Sequence, residues 1–153
     1  MRLLRFLSPL FVAVGLTALC VQSASAAMET AAEHAILMDG ESGQVLWAKD
    51  AETPSPPASM SKLMTLELLF QRLKDGRVKL TDTFPVSERA WSTQGSKGFA
   101  MIGSRIPVET LIRGIIIASA NDMCVVVAES LGGSVEAFAD MMNARAKQLG
   151  LTQ

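Results

Sequence analysis

Ser59 and Lys62 are spaced so that one can activate the other. They stand three residues apart in the segment Pro57-Ala58-Ser59-Met60-Ser61-Lys62. Residues i and i+3 lie on one face of a helix, so the Lys62 amine is expected within reach of the Ser59 hydroxyl. A serine needs a base to become a nucleophile, and a lysine amine can serve when burial or a nearby cation favours its neutral form. This spacing predicts nucleophilic catalysis that does not need histidine.

The same spacing also has a purely structural explanation. A serine often caps the start of a helix, and a solvated lysine then follows one turn later. The prolines just before Ser59 place it in the first turn of the helix, where free backbone N–H groups favour negative charge. The pair alone therefore leaves both interpretations open.

A second polar group, Ser119-Ala120-Asn121, interrupts two apolar helical segments. Ser119 has the chemistry to relay a proton between a lysine and a leaving nitrogen, and the Asn121 amide can hold a substrate carbonyl. The structural alternative is that Ser119 caps the helix that begins near Asp122.

Composition restricts the other kinds of site. The chain has 153 residues, of which 49% are hydrophobic and 19% charged, so it can bury a core within one domain. Its net charge of −1 gives no basic face for nucleic acid. His34 is the only histidine, and the cysteines are Cys20 and Cys124. We therefore expect neither a metal site nor a cofactor, and Cys124 is expected to be a buried small hydrophobe.

The first 26 residues have the pattern of an export signal. Arg2 and Arg5 precede an uncharged apolar run, and Ala24-Ser25-Ala26 is a small-residue cleavage sequence. Cleavage there leaves residues 27–153 and shifts the net charge from −1 to −3, because the signal holds two arginines and no acidic residue. The sequence thus predicts an exported protein of the periplasm or cell envelope.

Hydrophobic patterning predicts a hairpin followed by a helical block. Short apolar strands at 35–38 and 44–48 flank strong turn residues, and the segment 77–103 is mixed. The helical segments are expected at 58–75, from Val108 to a break at 118–121, at 122–131 and at 135–149. A two-stranded hairpin is rarely stable alone, so we expect the domain to be incomplete.

Together the two polar groups resemble the signature of the serine penicillin-recognising enzymes, which is Ser-x-x-Lys, then Ser-x-Asn, then Lys-Thr-Gly. Longer strings are similar to the low-molecular-mass D-alanyl-D-alanine carboxypeptidases. The similarity runs from about His34 to Thr152, and the strings that carry it are Ile36-Leu37-Met38-Asp39, Ser42-Gly43-Gln44-Val45-Leu46, Pro57-Ala58-Ser59-Met60-Ser61-Lys62-Leu63-Met64-Thr65, Leu111-Ile112-Arg113-Gly114 and Ser119-Ala120-Asn121-Asp122.

The resemblance implies an α+β fold of the β-lactamase/transpeptidase-like type, with an N-terminal antiparallel hairpin and a helical block. The remaining strands of the sheet, including Lys-Thr-Gly, are expected beyond Gln153. Ser59 would be the acyl-ester nucleophile, Lys62 its general base, Ser119 a proton relay and Asn121 a substrate-binding residue. The substrate would be a peptidoglycan stem peptide ending in D-Ala-D-Ala, and β-lactams would be covalent inhibitors.

Two positions depart from the pattern of that family, and two other functions stay open. Ala120 stands where glycine is usual and is expected to crowd the turn, and Gly98 stands where methionine is common. The alternatives are a class A-like β-lactamase and a non-catalytic peptidoglycan-binding remnant. Peripheral membrane association through a segment beyond the chain is a further expectation from the resemblance.

Overall fold

A computed structural model describes residues 28–151, which divide into two compact units between Thr53 and Pro54. The predicted export signal, residues 1–26, lies outside the described part of the chain. Within residues 28–151, no helix combines the length and the apolar character needed to cross a membrane.

The first unit is the predicted hairpin. Strand β1 (Ala35–Met38) pairs antiparallel with β2 (Val45–Lys49). The Asp39 carboxylate closes the turn by accepting hydrogen bonds from the Ser42 hydroxyl at 2.6 Å and from its backbone N–H at 2.7 Å. These bonds favour the ionised form and lower the pKa of Asp39.

The second unit combines helices with one further pair of strands. In chain order it contains a 3₁₀ turn (Ala58–Ser61), α1 (Lys62–Lys74), β3 (Thr83–Pro85), α2 (Glu88–Ser92), β4 (Arg105–Pro107), α3 (Val108–Ala118), α4 (Asn121–Gly132) and α5 (Val135–Gln148). The predicted helices are confirmed within a few residues. Short β-like pieces are expected in the mixed segment 77–103, and β3 is one of them. Its antiparallel pairing with β4 was not predicted, because each strand has only three residues and they lie about 20 residues apart in the chain.

Helix α1 continues directly from the 3₁₀ turn and stops before Gly76, whose φ of +69° suits a residue without a Cβ. The spacing of the apolar residues from Met60 to Leu73 predicts one broad buried face. Leu68 and Leu69 are buried, but Met60 and Leu63 are 67% and 68% exposed, so the prediction was wrong for the start of the helix. The first turn therefore packs differently from the rest of the helix.

Helix α4 is the centre of the second unit. It contacts α1, α2, α3 and α5, and its side chains at Met123, Val126, Val127 and Ala128 are buried. The run of three valines that resembles a strand is helical here, because the segment is twelve residues long and ends at Gly133 in a left-handed conformation. The buried side chains of α4 thus hold the first residues of the helix in place.

We predict that Gly132→Ala lowers the free energy of unfolding by about 1–3 kcal/mol, measured by urea denaturation. A Cβ at Gly132 would lie 2.8 Å from the backbone nitrogen of Phe138, where α4 meets α5. Ser130→Ala is the matched control, because the buried Ser130 hydroxyl has no hydrogen-bond partner among the described residues. Its loss should leave stability unchanged or raised. Equal effects of the two substitutions would contradict the close helix contact.

Candidate active site

The Ser59 hydroxyl and the Lys62 amine are in direct contact. Ser59 lies exposed in the 3₁₀ turn, and Lys62 is the half-buried first residue of α1. The Nζ of Lys62 donates a hydrogen bond to the Oγ of Ser59 at 2.9 Å. The predicted contact between the two side chains is therefore present, and the alternative of a lysine pointing into solvent does not hold. In its neutral form the amine would be placed to accept the serine proton.

Ser119 completes a triangle with these two residues. Lys62 Nζ donates to Ser119 Oγ at 3.0 Å, and Ser119 Oγ donates to Ser59 Oγ at 3.2 Å. The two serines are 60 residues apart in the chain. Folding has thus placed one amine and two hydroxyls within hydrogen-bonding distance of one another, as a proton relay requires.

The backbone of Ser119 is in a conformation that most residues avoid. Ser119 ends α3 with φ of 52° and ψ of 38°, in the left-handed region. For a residue with a Cβ this costs about 1–2 kcal/mol, and glycine is the usual solution. The alternative that Ser119 caps the next helix is wrong, since the N-cap of α4 is Ala120 and no side chain caps it. In this conformation the Ser119 hydroxyl lies 3.0 Å from Lys62 Nζ.

Asn121 is held by hydrogen bonds to the loop that begins at Gln94. Its Nδ2 donates to the carbonyl of Gln94 at 2.8 Å, and its backbone N–H donates to the carbonyl of Ser96 at 2.7 Å. An amide nitrogen has two N–H groups, so one can anchor the side chain while the other faces a substrate carbonyl. Asn121 lines the same cleft as Ser59.

Gly95 is a site residue that sequence reasoning missed. Its φ is +90°, and a Cβ there would lie 2.5 Å from Asn121 Nδ2. The position therefore needs glycine both for its backbone and for the space that the Asn121 amide occupies. No sequence signal marked it, because Gly95 belongs to the mixed segment whose structure is set by distant contacts.

The reacting groups face an open cleft of about 480 Å³, whose lining includes Ser59, Lys62, Thr65, Asn121 and Cys124. A second cleft, of about 560 Å³, lies beside β3 and β4 and has no lysine among its lining residues. The first cleft thus combines Ser59 with the lysine that contacts it.

Cys124 lies at the wall of this cleft and is half-buried. Burial raises the pKa of the Cys124 thiol to about 11, which outweighs the opposing effects of the Lys62 charge and of a hydrogen bond with Thr65. This environment agrees with the expectation that Cys124 is not a reactive thiol. The residue is half-buried, however, and not fully buried as expected. Cys124 is a cleft wall as well as a packing residue.

The two departures from the expected motif are both accommodated. Ala120 is fully buried, and its φ of −66° and ψ of 112° suit any residue, so the alanine does not strain the backbone, and the expected crowding of the turn stays a prediction. A Cβ at Gly98 would lie 2.6 Å from the sulfur of Met123, and one at Gly114 would lie 2.0 Å from it. The absence of side chains at these two glycines gives the Met123 side chain its space.

Within residues 28–151, histidine, cysteine and acidic residues form no group that could hold a metal ion. His34 lies in the first unit, where its Nδ1 is 3.0 Å from the carbonyl oxygen of Asp50.

The contact between Ser59 and Lys62 is typical of acyl transfer through a serine that a lysine activates. The family model described as D-alanyl-D-alanine carboxypeptidase matches residues 20–153. The chain belongs to this family of serine peptidases. It is 41% identical over 120 residues to the D-alanyl-D-alanine carboxypeptidase DacF of Bacillus subtilis (strain 168) and 42% identical over 123 residues to DacC of Escherichia coli (strain K12). These alignments cover 78% and 76% of the chain, but only 31% of either relative.

Solved structures support the same fold. Penicillin binding protein 5 from Haemophilus influenzae matches with a TM-score of 0.77 at 34% identity, over 82% of this chain and 37% of that one. The D-alanyl-D-alanine carboxypeptidase DacD from Francisella tularensis matches with a TM-score of 0.76 at 34% identity, over 80% of this chain and 30% of that one. The predicted α+β, transpeptidase-like fold class is confirmed, and the chain spans about a third of these relatives.

We predict that Gly95→Ala displaces the Asn121 side chain. The added methyl would overlap Asn121 Nδ2, so the side-chain amide resonances of Asn121 should shift in a ¹⁵N NMR spectrum. Gly103→Ala is the matched control, since Gly103 has a φ of +75° but nothing within 4 Å of its Cβ position. Both variants carry the backbone strain, and only the first should move Asn121. Unshifted resonances in Gly95→Ala would contradict the geometry.

We also predict slow alkylation of Cys124 by iodoacetamide at pH 8, followed by mass spectrometry of the peptide that contains it. A raised pKa keeps the thiol protonated, so the rate should climb about tenfold per pH unit and level off only near pH 11. A cysteine in a short peptide is the control, and its alkylation rate should level off near the ordinary pKa of a thiol. A plateau for Cys124 at pH 8 or 9 would show that water reaches the thiol freely.

Proposed function

We propose that the protein to which this chain belongs is a serine-type D-Ala-D-Ala carboxypeptidase that removes the terminal D-Ala from peptidoglycan stem peptides. The observation that carries the proposal is the triangle of Ser59, Lys62 and Ser119, with sides of 2.9, 3.0 and 3.2 Å. The printed names of the relatives support the choice of substrate.

In the proposed reaction, Ser59 Oγ attacks the carbonyl carbon of the penultimate D-Ala while its proton passes to the neutral Lys62 amine. The proton then moves through the Ser119 hydroxyl to the leaving nitrogen of the terminal D-Ala. An acyl ester on Ser59 remains, and water hydrolyses it. The 3.0 Å contact between Lys62 and Ser119 supports this route.

Asn121 supplies orientation in this scheme. The second N–H of its amide is suited to a substrate carbonyl, which would hold the peptide while Ser59 reacts. A β-lactam also presents a strained amide beside an acylamino carbonyl, so the same serine should be acylated by penicillins. The relative named penicillin binding protein 5 supports this.

The proposed place of action is the cell envelope. The export signal predicted at residues 1–26 would direct the chain across the membrane, where peptidoglycan stem peptides are found. Peripheral membrane association through a further segment belongs to the same proposal. A class A-like β-lactamase and a non-catalytic peptidoglycan-binding protein are less well supported, because the relatives above are named as carboxypeptidases.

The test is covalent labelling by a fluorescent penicillin, followed on a denaturing gel. It should use the reading frame that encodes this chain, including any sequence downstream of Gln153. Ser59→Ala should abolish the label, because the acyl ester has no oxygen on which to form. Lys62→Ala should slow labelling by at least about a thousandfold, since the serine loses its base.

Ser61→Ala is the matched control for these two variants. Ser61 lies in the same 3₁₀ turn as Ser59, but its hydroxyl donates to the carbonyl of Ala58 at 2.8 Å. This variant should keep most of the labelling rate. Labelling that persists in Ser59→Ala would overturn the proposed role of Ser59, and sacculus binding without any labelling would favour a non-catalytic protein.

A further inference from the structure

Asp122 is the most deeply buried charged residue in the described part of the chain. It is 1% exposed and lies in the first turn of α4, directly after Asn121. A buried carboxylate requires hydrogen-bond donors around it, and here none of the donors comes from a lysine or arginine. The proposed reaction gives this residue no task.

The Asp122 carboxylate is bound to backbone N–H groups of a loop more than 20 residues away. One oxygen accepts from Gly98 at 2.8 Å and from the N–H of Met123 at 2.9 Å, and the other accepts from Ala100 at 2.9 Å. Two of the three donors, Gly98 and Ala100, belong to the loop, and hydrogen bonds to charged groups are the stronger kind. The carboxylate thus fixes the loop between Gln94 and Ala100 to the start of α4.

The same loop holds Asn121. Gln94 and Ser96, at its beginning, accept hydrogen bonds from the Asn121 side chain and backbone at 2.8 and 2.7 Å. Asp122 therefore attaches the far end of a loop whose near end orients the substrate-binding amide. Met123 adds a packing contact, because its side chain fills the space above Gly98.

We infer that Asp122 is a positioning residue that sets the orientation of the Asn121 amide through the loop from Gln94 to Ala100. This inference rests on the proposed function, since Asn121 is meant to hold a substrate carbonyl. Asp122 does not touch the reacting atoms. Substitution of Asp122 should consequently slow the reaction with ligands whose carbonyl Asn121 binds, and it should not slow the reaction with ligands that lack this carbonyl.

Asp122→Asn is the informative substitution because it keeps the shape and removes the ion. A side-chain amide has one acceptor oxygen, and its NH₂ group cannot accept from a backbone N–H. Either Gly98 or Ala100 then loses its partner inside a buried site. The loop should detach at that end, and Asn121 should lose its fixed orientation.

The experiment compares acylation rate constants for two β-lactams. Benzylpenicillin has an acylamino carbonyl for Asn121 to hold, and 6-aminopenicillanic acid has none. Asp122→Asn should slow acylation by benzylpenicillin about tenfold or more, with little change for 6-aminopenicillanic acid. Asn121→Ala should show the same selectivity, and the double variant should be no slower than Asn121→Ala alone.

Glu67→Gln is the matched control, because Glu67 is a partly buried carboxylate whose hydrogen bonds go to Gln71 and Arg145 and not to the loop that holds Asn121. A general loss of folding lowers both rate constants together, and this variant should show that pattern at most. If Asp122→Asn does not fold, Gly98→Ala supplies the second route, since its methyl would press on Met123 and shift the loop.

Three results would overturn the inference. An equal slowing of both β-lactams by Asp122→Asn would mean a structural role only, and additive effects of Asn121→Ala and Asp122→Asn would mean independent roles. Unchanged hydrogen exchange of the Gly98 and Ala100 amides in Asp122→Asn would show that the carboxylate does not hold the loop, whatever the activity. Failure of the wild type to react with either β-lactam would instead remove the proposed function itself.

Discussion

The packing of α1 against α4 is the constraint on which the site depends. Lys62 begins α1, and the break before α4 carries Ser119, so the distance between the two helix starts sets the distance between amine and hydroxyl. A lysine on a flexible stem gains little from a solvent-exposed contact, because ordering the side chain costs entropy. Here the stem is half-buried and both helices are anchored by fully buried residues, including Leu69 and Val126. Packing of the lysine stem against the core thus restricts the side chain and reduces the entropy cost of placing the amine beside Ser59.

Around that constraint, the site is assembled from local conformations that are unfavourable by themselves. Ser119 is left-handed, and Ala58, just before the candidate nucleophile, has a φ of 47°. Such conformations persist only when the surrounding contacts determine them, and they cluster at functional sites. At Ser119 the contacts are the hydrogen bonds to Lys62 and Ser59 and the bond from its own backbone N–H to Gly114. These hydrogen bonds offset part of the cost of the left-handed backbone.

The start of α4 serves both halves of the site. Ser119 contacts the nucleophile and Asn121 lines the cleft, while Asp122 and Met123 contact the loop that fixes Asn121. Substitutions on one side therefore have consequences on the other. The motif departure at Gly98 illustrates this, because the missing side chain at Gly98 leaves room for the Met123 side chain. The small residue of the loop and the large residue of the helix thus fit each other.

The sequence by itself determined the candidate chemistry and the principal elements. A helix places residues three apart on one face, so Ser59 and Lys62 could be paired from spacing alone, and the hairpin and helices follow from turn residues and periodicity. Only the tertiary structure decided which distant groups join them. Three sets of contacts join residues that are 22 to 60 positions apart in the chain: Ser119 with Ser59, Gln94 with Asn121, and the loop amides with Asp122. Local propensity carries no information about such contacts, because they arise from the packing of whole helices. For the same reason, the sequence pattern did not predict the exposure of Met60 and Leu63 or the pairing of β3 with β4.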